Sequence, residues 1–220
     1  MESKVLEYMR RKGYMVDTEP GCLNIVYLEG INSDFTPNRD EFDGWNDLSL
    51  IIDHDADGVP KILFSAVCTT EPGRASTMAP AAAMMGGVAR IAFGQYRAWR
   101  VGYHKRSRLL DTHPALVQCA EVPVHRDVNR DGKRTGDPMG TGYGINQHGT
   151  KQLYSGKSVG AWSAGCLVRR LWSDHETFMG FVKTDLRYQD DTRYIFYTTV
   201  IAGDDFLRIF GSENEMKAPA

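Results

Sequence analysis

The chain has 220 residues, of which 42% are hydrophobic and 25% are charged, and its formal net charge is -2 at pH 7. This length can bury one substantial core, so we expect one globular unit with short terminal segments. The near-neutral charge gives no reason to expect nucleic acid as a partner, because phosphate binding needs a clustered excess of lysine and arginine. No stretch approaches the roughly 20 consecutive apolar residues that cross a bilayer, so no membrane span is expected.

The N-terminal segment is predicted to be an amphipathic helix. Residues 2–12 place Val5, Leu6 and Met9 on one face, and Gly13 follows where a helix would stop. Charges throughout this segment distinguish it from the apolar core of a secretory signal, so we expect synthesis in the cytoplasm without a signal peptide. The chain is divided accordingly into a helical segment at 1–18, a main domain at 19–212 and a flexible tail at 213–220.

From Cys22 onward, short segments rich in Val, Ile, Tyr and Phe alternate with Gly, Pro, Asn and Asp, which is typical of strands joined by turns. The predicted strands are 23–29, 47–53, 60–70, 96–103, 115–125 and 193–201. Between them, residues 71–87 are rich in Ala, Met, Gly and Pro and are predicted to form a long loop that borders a site. Ser173 to Glu176 match a capping box and predict a helix that begins there. The sequence therefore predicts a mainly β (α+β) fold with a few helices.

The four cysteines are far apart and form no C-x-x-C pair, which argues against a zinc ribbon or a redox pair. Cys22, Cys68 and Cys119 lie in apolar, strand-like runs, where a free cysteine usually behaves as a small buried hydrophobic residue. Cys166 differs because small residues surround it. We therefore treat Cys166 as the candidate for chemistry.

Cys166 and His148 are predicted to act as nucleophile and general base. The thiolate is the nucleophilic form of cysteine, and imidazole can take a proton at neutral pH. Gly165 removes a side chain where a substrate carbonyl would approach, and backbone N–H groups near Cys166 could stabilise the oxyanion. Trp162 is a candidate wall of the site. A core cysteine and a turn histidine would explain either residue alone, and only their combination indicates catalysis.

The segments His148-Gly149-Thr150 and Ser163-Ala164-Gly165-Cys166-Leu167 resemble the L,D-transpeptidase catalytic-domain family in order and spacing. The resemblance implies an L,D-transpeptidase-like β-sandwich with an N-terminal helix, occupying 19–212 as a catalytic domain. It also implies that Cys166 is the nucleophile, that His148 is the base and that a carbonyl near Gly149 orients the imidazole. Ser163, Gly165 and Trp162 are then candidates for substrate binding.

Two positions depart from the family pattern. Ala164 stands where the family usually has a second histidine, and Val168 stands where it has Asn or Arg. Arg169 is therefore the candidate for a displaced cation that binds a substrate carboxylate. Residues 69–74 also look like the Thr/Pro/Gly-rich loop of the family.

The resemblance implies cysteine-dependent cleavage or transfer of peptide bonds in peptidoglycan stem peptides through a thioester acyl-enzyme, without a required cofactor. A wall-degrading peptidase of this kind would reach the wall through phage lysis, as an endolysin does, or through an injection or export system for effectors. Two alternatives stay open. One is a non-catalytic cell-wall-binding or structural protein on the same fold, and the other is a zinc-dependent amidase with ligands drawn from His125, His148, His175 and Cys166.

One loop is a candidate for a structural calcium ion. Asp127, Asn129 and Asp131 stand at alternate positions before Gly132, as in the first half of a calcium loop. Pro138 stands at the twelfth position, where such a loop has a bidentate glutamate. Residues 53–58 repeat the half-pattern. A polar β-turn is the alternative for both, because Asp, Asn and Gly are the standard turn formers.

Overall fold

The structure is a computed structural model that describes residues 1–104, 112–151 and 154–210. Strands outweigh helices, and a helix stands at the N-terminus, so the predicted mainly β, α+β class is confirmed. In the described part of the chain, no helix is long and apolar enough to span a bilayer. The predicted flexible tail at 213–220 lies outside the described residues.

The helices and strands follow one another along the chain in a mixed order. The helices are α1 (Glu2–Arg11), α2 (Arg74–Met78), α3 (Pro80–Met84), α4 (Trp172–Thr184), α5 (Leu186–Asp190) and α6 (Gly203–Phe210). The strands are β1 (Asn24–Glu29), β2 (Asp47–His54), β3 (Pro60–Thr69), β4 (Val88–Ile91), β5 (Gly94–His104), β6 (His113–Gln118), β7 (Val122–Asp127), β8 (Met139–Gly142), β9 (Gln147–Gly149), β10 (Leu167–Arg169) and β11 (Phe196–Ala202).

Eight strands close into a barrel in the order β1-β11-β5-β6-β9-β10-β3-β2, and β4, β7 and β8 form a separate three-stranded sheet. The expectation of a β-sandwich was therefore wrong. Alternating apolar and polar residues are common to sandwiches and barrels, and closure depends on which distant strands pair. Here β1 pairs in parallel with β11, from the far end of the chain, and β9 pairs in parallel with β10.

Four sequence predictions need correction. The predicted strand 115–125 is two strands, β6 and β7, and Cys119 between them is exposed rather than buried. The predicted loop 71–87 contains the short helices α2 and α3, and strand β4 follows directly after it. Helix α4 begins one residue before Ser173, and no side chain caps it. The N–H of His175 already bonds to the Leu171 carbonyl, so Ser173 lies inside the first turn and cannot act as the cap.

Strand alternation creates two hydrophobic cores. Ile25 and Tyr27 of β1 belong to the core inside the barrel, which also contains residues of α4, while Val26 and Leu28 belong to a second core outside it. Helices α1 and α6 cover this outer core, and the predicted apolar face of α1 is buried there. The N-terminal helix thus packs on the main body, as its amphipathic pattern predicted.

The parallel and antiparallel pairings determine which strands begin and which finish at each end of the barrel. β1, β3, β6 and β11 finish at one end, whereas β2, β5, β9 and β10 begin there. The segment that leads into β10 carries Cys166, and the segment that follows β3 carries Glu71. The fold therefore brings the predicted nucleophile and several charged side chains to the same end.

Candidate active site

Neighbouring strands place Cys166 and His148 on one face of the barrel wall. Leu167 pairs with Gln147, and Val168 pairs with His148. Leu167 belongs to the inner core, and Gln147 bonds to side chains within the barrel. Because side chains alternate along a strand, Cys166 and His148 both face outward, two positions apart along the pair. The residues that sequence analysis singled out are thus placed on one face of two neighbouring strands.

The ring of His148 is oriented by a backbone carbonyl. Its Nδ1 lies 2.8 Å from the Gly149 carbonyl oxygen. A carbonyl only accepts hydrogen bonds, so Nδ1 carries the proton and Nε2 keeps its lone pair. Burial lowers the pKa of His148 well below its ordinary value of 6.5, and the neighbouring His104 acts in the same direction. His148 is therefore a neutral base at neutral pH.

Cys166 is a half-buried thiol at the start of β10. Its Sγ lies 3.5 Å from the Gly144 carbonyl oxygen, to which the thiol donates. Burial raises the pKa of the Cys166 thiol to about 11. The resting pair is consequently a neutral thiol and a neutral imidazole, and a thiolate forms only when a base removes the proton during the reaction.

The turn before Cys166 is held by its own backbone and by Ser163. The Ser163 hydroxyl donates to the Cys166 carbonyl at 2.8 Å and accepts from the Gly165 N–H at 3.1 Å. Gly165 has φ +135°, and a Cβ there would lie 2.5 Å from the Ala89 carbonyl oxygen. Ser163 and Gly165 are both buried, so their predicted role as substrate contacts is corrected to shaping the turn that presents the thiol.

The segment that follows β3 is hydrogen-bonded to the same turn. The Gly73 N–H donates to the Ser163 carbonyl at 2.9 Å. The Asp43 carboxylate accepts from the N–H of Gly160 at 2.6 Å and from the N–H of Arg74 at 2.8 Å. The predicted loop therefore borders the site by positioning the nucleophile turn.

Two further histidines line the outward face near His148. The His104 ring stacks on the His148 ring with centroids 3.9 Å apart and an interplanar angle of 14°. The His113 ring meets the His148 ring edge-on at 5.8 Å, and it lies 5.4 Å from the His175 ring. Sequence reasoning missed His104 and His113, because they become neighbours of the base only when β5 pairs with β6 and β6 pairs with β9.

Trp162 is half-buried beside other aromatic rings. Its ring lies 5.2 Å from the Tyr154 ring, which lies 6.0 Å from the Trp45 ring, both in edge-on contacts. Trp162 is thus part of an aromatic group on the segment that leads to Cys166. Its role as a wall of a substrate site stays a prediction.

Arg169 does not reach the surface, so its predicted role as a carboxylate-binding cation is wrong. It is 0% exposed and shares the inward direction of Leu167 on β10. Its guanidinium donates to the Tyr27 hydroxyl at 2.6 Å and to the Ser49 hydroxyl at 3.1 Å, and it lies 3.2 Å from the centroid of the Phe178 ring. Arg169 belongs to the barrel interior.

The Asp127 loop uses its oxygens in a polar turn. The Asp127 carboxylate accepts from the N–H of Asp131 at 3.1 Å and from that of Gly132 at 3.0 Å, and the Asn129 side-chain oxygen accepts from the N–H of Asp131 at 3.2 Å. These bonds are those of the turn alternative and compete for the oxygens that calcium would need. A calcium ion at Asp127, Asn129 and Asp131 stays a prediction.

Among the described residues, one group of three His, Cys, Asp or Glu side chains has ligand atoms all within 4.8 Å of one another: Glu29, Asp40 and Glu71. The histidines and Cys166 of the zinc alternative do not form such a group. Two arginines already pair with the acidic group, Arg90 with Glu71 and Arg134 with Glu29. A metal ion bound there would have to compete with these guanidinium groups.

Comparison with known proteins adds no relative: no family model, no curated protein and no solved structure matches the chain.

Proposed function

We propose that this chain is a cysteine-dependent enzyme of the L,D-transpeptidase-like type, which cleaves or transfers peptide bonds in peptidoglycan stem peptides. One observation carries the proposal. Cys166 and His148 share one face of the β9–β10 pair, and the Gly149 carbonyl holds the imidazole with Nε2 as its basic nitrogen. The contact between His148 and Gly149 has the form that the family resemblance implied.

The proposed reaction moves one proton through His148. Nε2 of His148 takes the thiol proton of Cys166 as Sγ attacks the substrate carbonyl carbon. The tetrahedral intermediate then expels an amine, which takes the proton back from His148 and leaves a thioester on Cys166. Water resolves the thioester in a peptidase, and a second stem-peptide amine resolves it in a transpeptidase. A neutral thiol and a neutral imidazole in the resting enzyme fit this order of steps, because Cys166 loses its proton as its sulfur attacks the carbonyl carbon.

We infer that hydrolysis is the physiological outcome and that the protein degrades cell wall after delivery by phage lysis or by an injection or export system. The bond cut and the donor stem are open to experiment. The proposal requires no cofactor, and the structural calcium ion remains a separate expectation.

Digestion of purified sacculi tests the chemistry. We expect the wild-type protein to release muropeptides that mass spectrometry assigns to one bond. Cys166→Ala and His148→Gln should each reduce release by at least about 10³-fold, since a nucleophile and its base act as a unit. Cys119→Ala is the matched control, because Cys119 is an exposed thiol outside the site, and it should retain activity.

The other outcomes separate the alternatives. Release that persists in Cys166→Ala contradicts the cysteine mechanism. Release abolished by a chelator favours the zinc amidase instead. A wild-type protein that sediments with sacculi but releases nothing favours the non-catalytic cell-wall-binding protein.

A further inference from the structure

Asn146 connects the nucleophile segment with the stacked histidine pair. Its side-chain Oδ1 accepts from the backbone N–H of Gln118 at 3.0 Å, and its Nδ2 lies 3.0 Å from Nδ1 of His104. Its carbonyl accepts from the N–H of Leu167, the residue after Cys166, at 3.0 Å. Asn146 therefore contacts both Leu167, which follows the proposed nucleophile, and His104, whose ring stacks on the proposed base.

These contacts determine the tautomer of His104. The Gln118 N–H can only donate, so the amide oxygen of Asn146 must face it. The amide NH₂ group then faces His104 and donates, so Nδ1 of His104 must be the acceptor. The proton of the neutral ring lies on Nε2. A doubly protonated His104 would direct an N–H against this NH₂ group and lose the hydrogen bond.

The charge of His104 matters because its ring lies on the face of His148. Among the described residues, the titratable groups whose charge acts on His148 are His104 from β5, His113 from β6 and His175 from α4. Of the three histidines, His104 is in parallel contact at 3.9 Å. A positive charge on His104 would oppose the positive charge that His148 acquires when it takes the thiol proton.

We propose that Asn146 is a positioning residue that holds His104 in its neutral tautomer and thereby keeps His148 able to accept the proton of Cys166. This inference rests on the proposed function, since it assigns His148 the role of base. It adds a second pair of side chains, Asn146 and His104, that sets the working pH of the site.

Asn146→Asp reverses the hydrogen bond while preserving the shape of the side chain. A carboxylate at position 146 accepts where the amide donated, and its negative charge favours the doubly protonated, positively charged His104 ring, whose Nδ1–H donates to it. We expect the rate of alkylation of Cys166 by iodoacetamide, followed as a function of pH, to be at least about tenfold lower at pH 7, because a base that takes the thiol proton less readily assists attack less. The site of modification is confirmed by peptide mass spectrometry.

A double variant separates the effect through His104 from a direct effect of the new carboxylate on the thiol. A glutamine side chain cannot become positively charged, so the loss caused by Asn146→Asp should be largely absent when it is added to His104→Gln and the double variant is compared with His104→Gln alone. His125→Ala is the control for loss of a histidine on another strand and should leave the curve unchanged. A defect in Asn146→Asp that persists undiminished in the double variant overturns the inference.

Nitrogen-15 NMR of the wild-type protein tests the tautomer directly. At pH 7 we expect Nδ1 of His104 to give the resonance of an unprotonated nitrogen that accepts a hydrogen bond. A resonance that shows a protonated Nδ1 overturns the inference. Neither this spectrum nor the alkylation curve requires a peptidoglycan substrate. Failure to cleave sacculi with these results intact therefore contradicts the proposed function and not the role of Asn146.

Discussion

The backbone of Gly165 turns the chain into β10 and so sets where Cys166 emerges. Its φ of +135° is one that residues with a Cβ rarely adopt, and the Ala89 carbonyl fills the space where a Cβ would project. The glycine is therefore needed for the turn itself. Sequence reasoning correctly noticed the small residue, but it assigned the empty space to substrate rather than to the neighbouring strand β4.

Gly165→Ala should destabilise the protein by about 1–3 kcal/mol, because it combines an unfavourable φ with a backbone clash. The alkylation rate of Cys166 should fall as well, since the turn must shift. Denaturant unfolding and iodoacetamide kinetics measure the two effects. Gly180→Ala is the control: nothing lies within 4 Å of its Cβ position, and alanine in helix α4 should stabilise by about 0.5–1 kcal/mol. An unchanged stability in Gly165→Ala would contradict the role assigned to this turn.

At the scale of elements, the long connection between β7 and β8 is fastened to the barrel by Arg134. Its guanidinium pairs with the buried Glu29 at the end of β1 and donates to the Ile91 carbonyl of β4. Burial alone would raise the pKa of Glu29, but Arg134 and Arg90 outweigh it and hold that pKa below its ordinary value. This ion pair thus joins the small sheet to the barrel, in addition to the pair between Arg90 of β4 and Glu71.

Arg134→Met should lower the free energy of unfolding by about 3–5 kcal/mol, because it leaves the buried Glu29 carboxylate without this partner. Urea unfolding provides the measurement. Adding Glu29→Gln should restore part of the loss, since an amide is less costly to bury than an unpaired charge. The exposed pair Arg193–Asp191 supplies the control, and Arg193→Met should cost less than about 1 kcal/mol. Equal losses in the two arginine variants would contradict the claim that the Glu29 pair ties the sheets together.

For the whole molecule, buried neutral histidines make the fold sensitive to acid. Burial lowers the pKa of His175 to about 3, and its Nε2 donates to the Pro114 carbonyl at 2.8 Å. Below pH 6.5 the unfolded chain takes up a proton at His175 that the folded protein does not. Stability contributed by this group is therefore present above pH 6.5 and is lost as the pH falls toward 3.

His175→Gln should remove this part of the pH dependence while keeping a donor for Pro114. Relative to wild type, its free energy of unfolding should rise by about 2.3 kcal/mol as the pH falls from 6.5 to 4.5, at a slope that approaches about 1.4 kcal/mol per pH unit. The quantity to measure is the difference in free energy of unfolding between His175→Gln and wild type. Other buried groups also titrate, since burial raises the pKa of Asp47 to about 8, and their effect cancels in this difference. Thr177→Ala, a non-titrating change in α4, should run parallel to wild type. A His175→Gln curve that also runs parallel would contradict the prediction.

Short sequence patterns predicted many of the strands and helices. The predicted segments near β1, β2, β3, β5 and β11 contain strands, α1 lies where apolar spacing indicated a helix, and α4 begins one residue before the helix start predicted at Ser173. Strands β9 and β10 carry the site but have three residues each, too few for a period to be recognised. The motifs drew attention to these residues, but no strand was predicted at either place.

The sequence by itself determined the strand-rich class, the amphipathic N-terminal helix and the two residues proposed for catalysis, because each depends on neighbours within a few positions. Only the tertiary structure decided that the sheet closes into a barrel, that Arg169 points inward and that His104 and Asn146 flank the base. Those features depend on pairing between strands that lie far apart in the chain. A change of one residue in register would send each side chain to the opposite face, so local pattern cannot specify them.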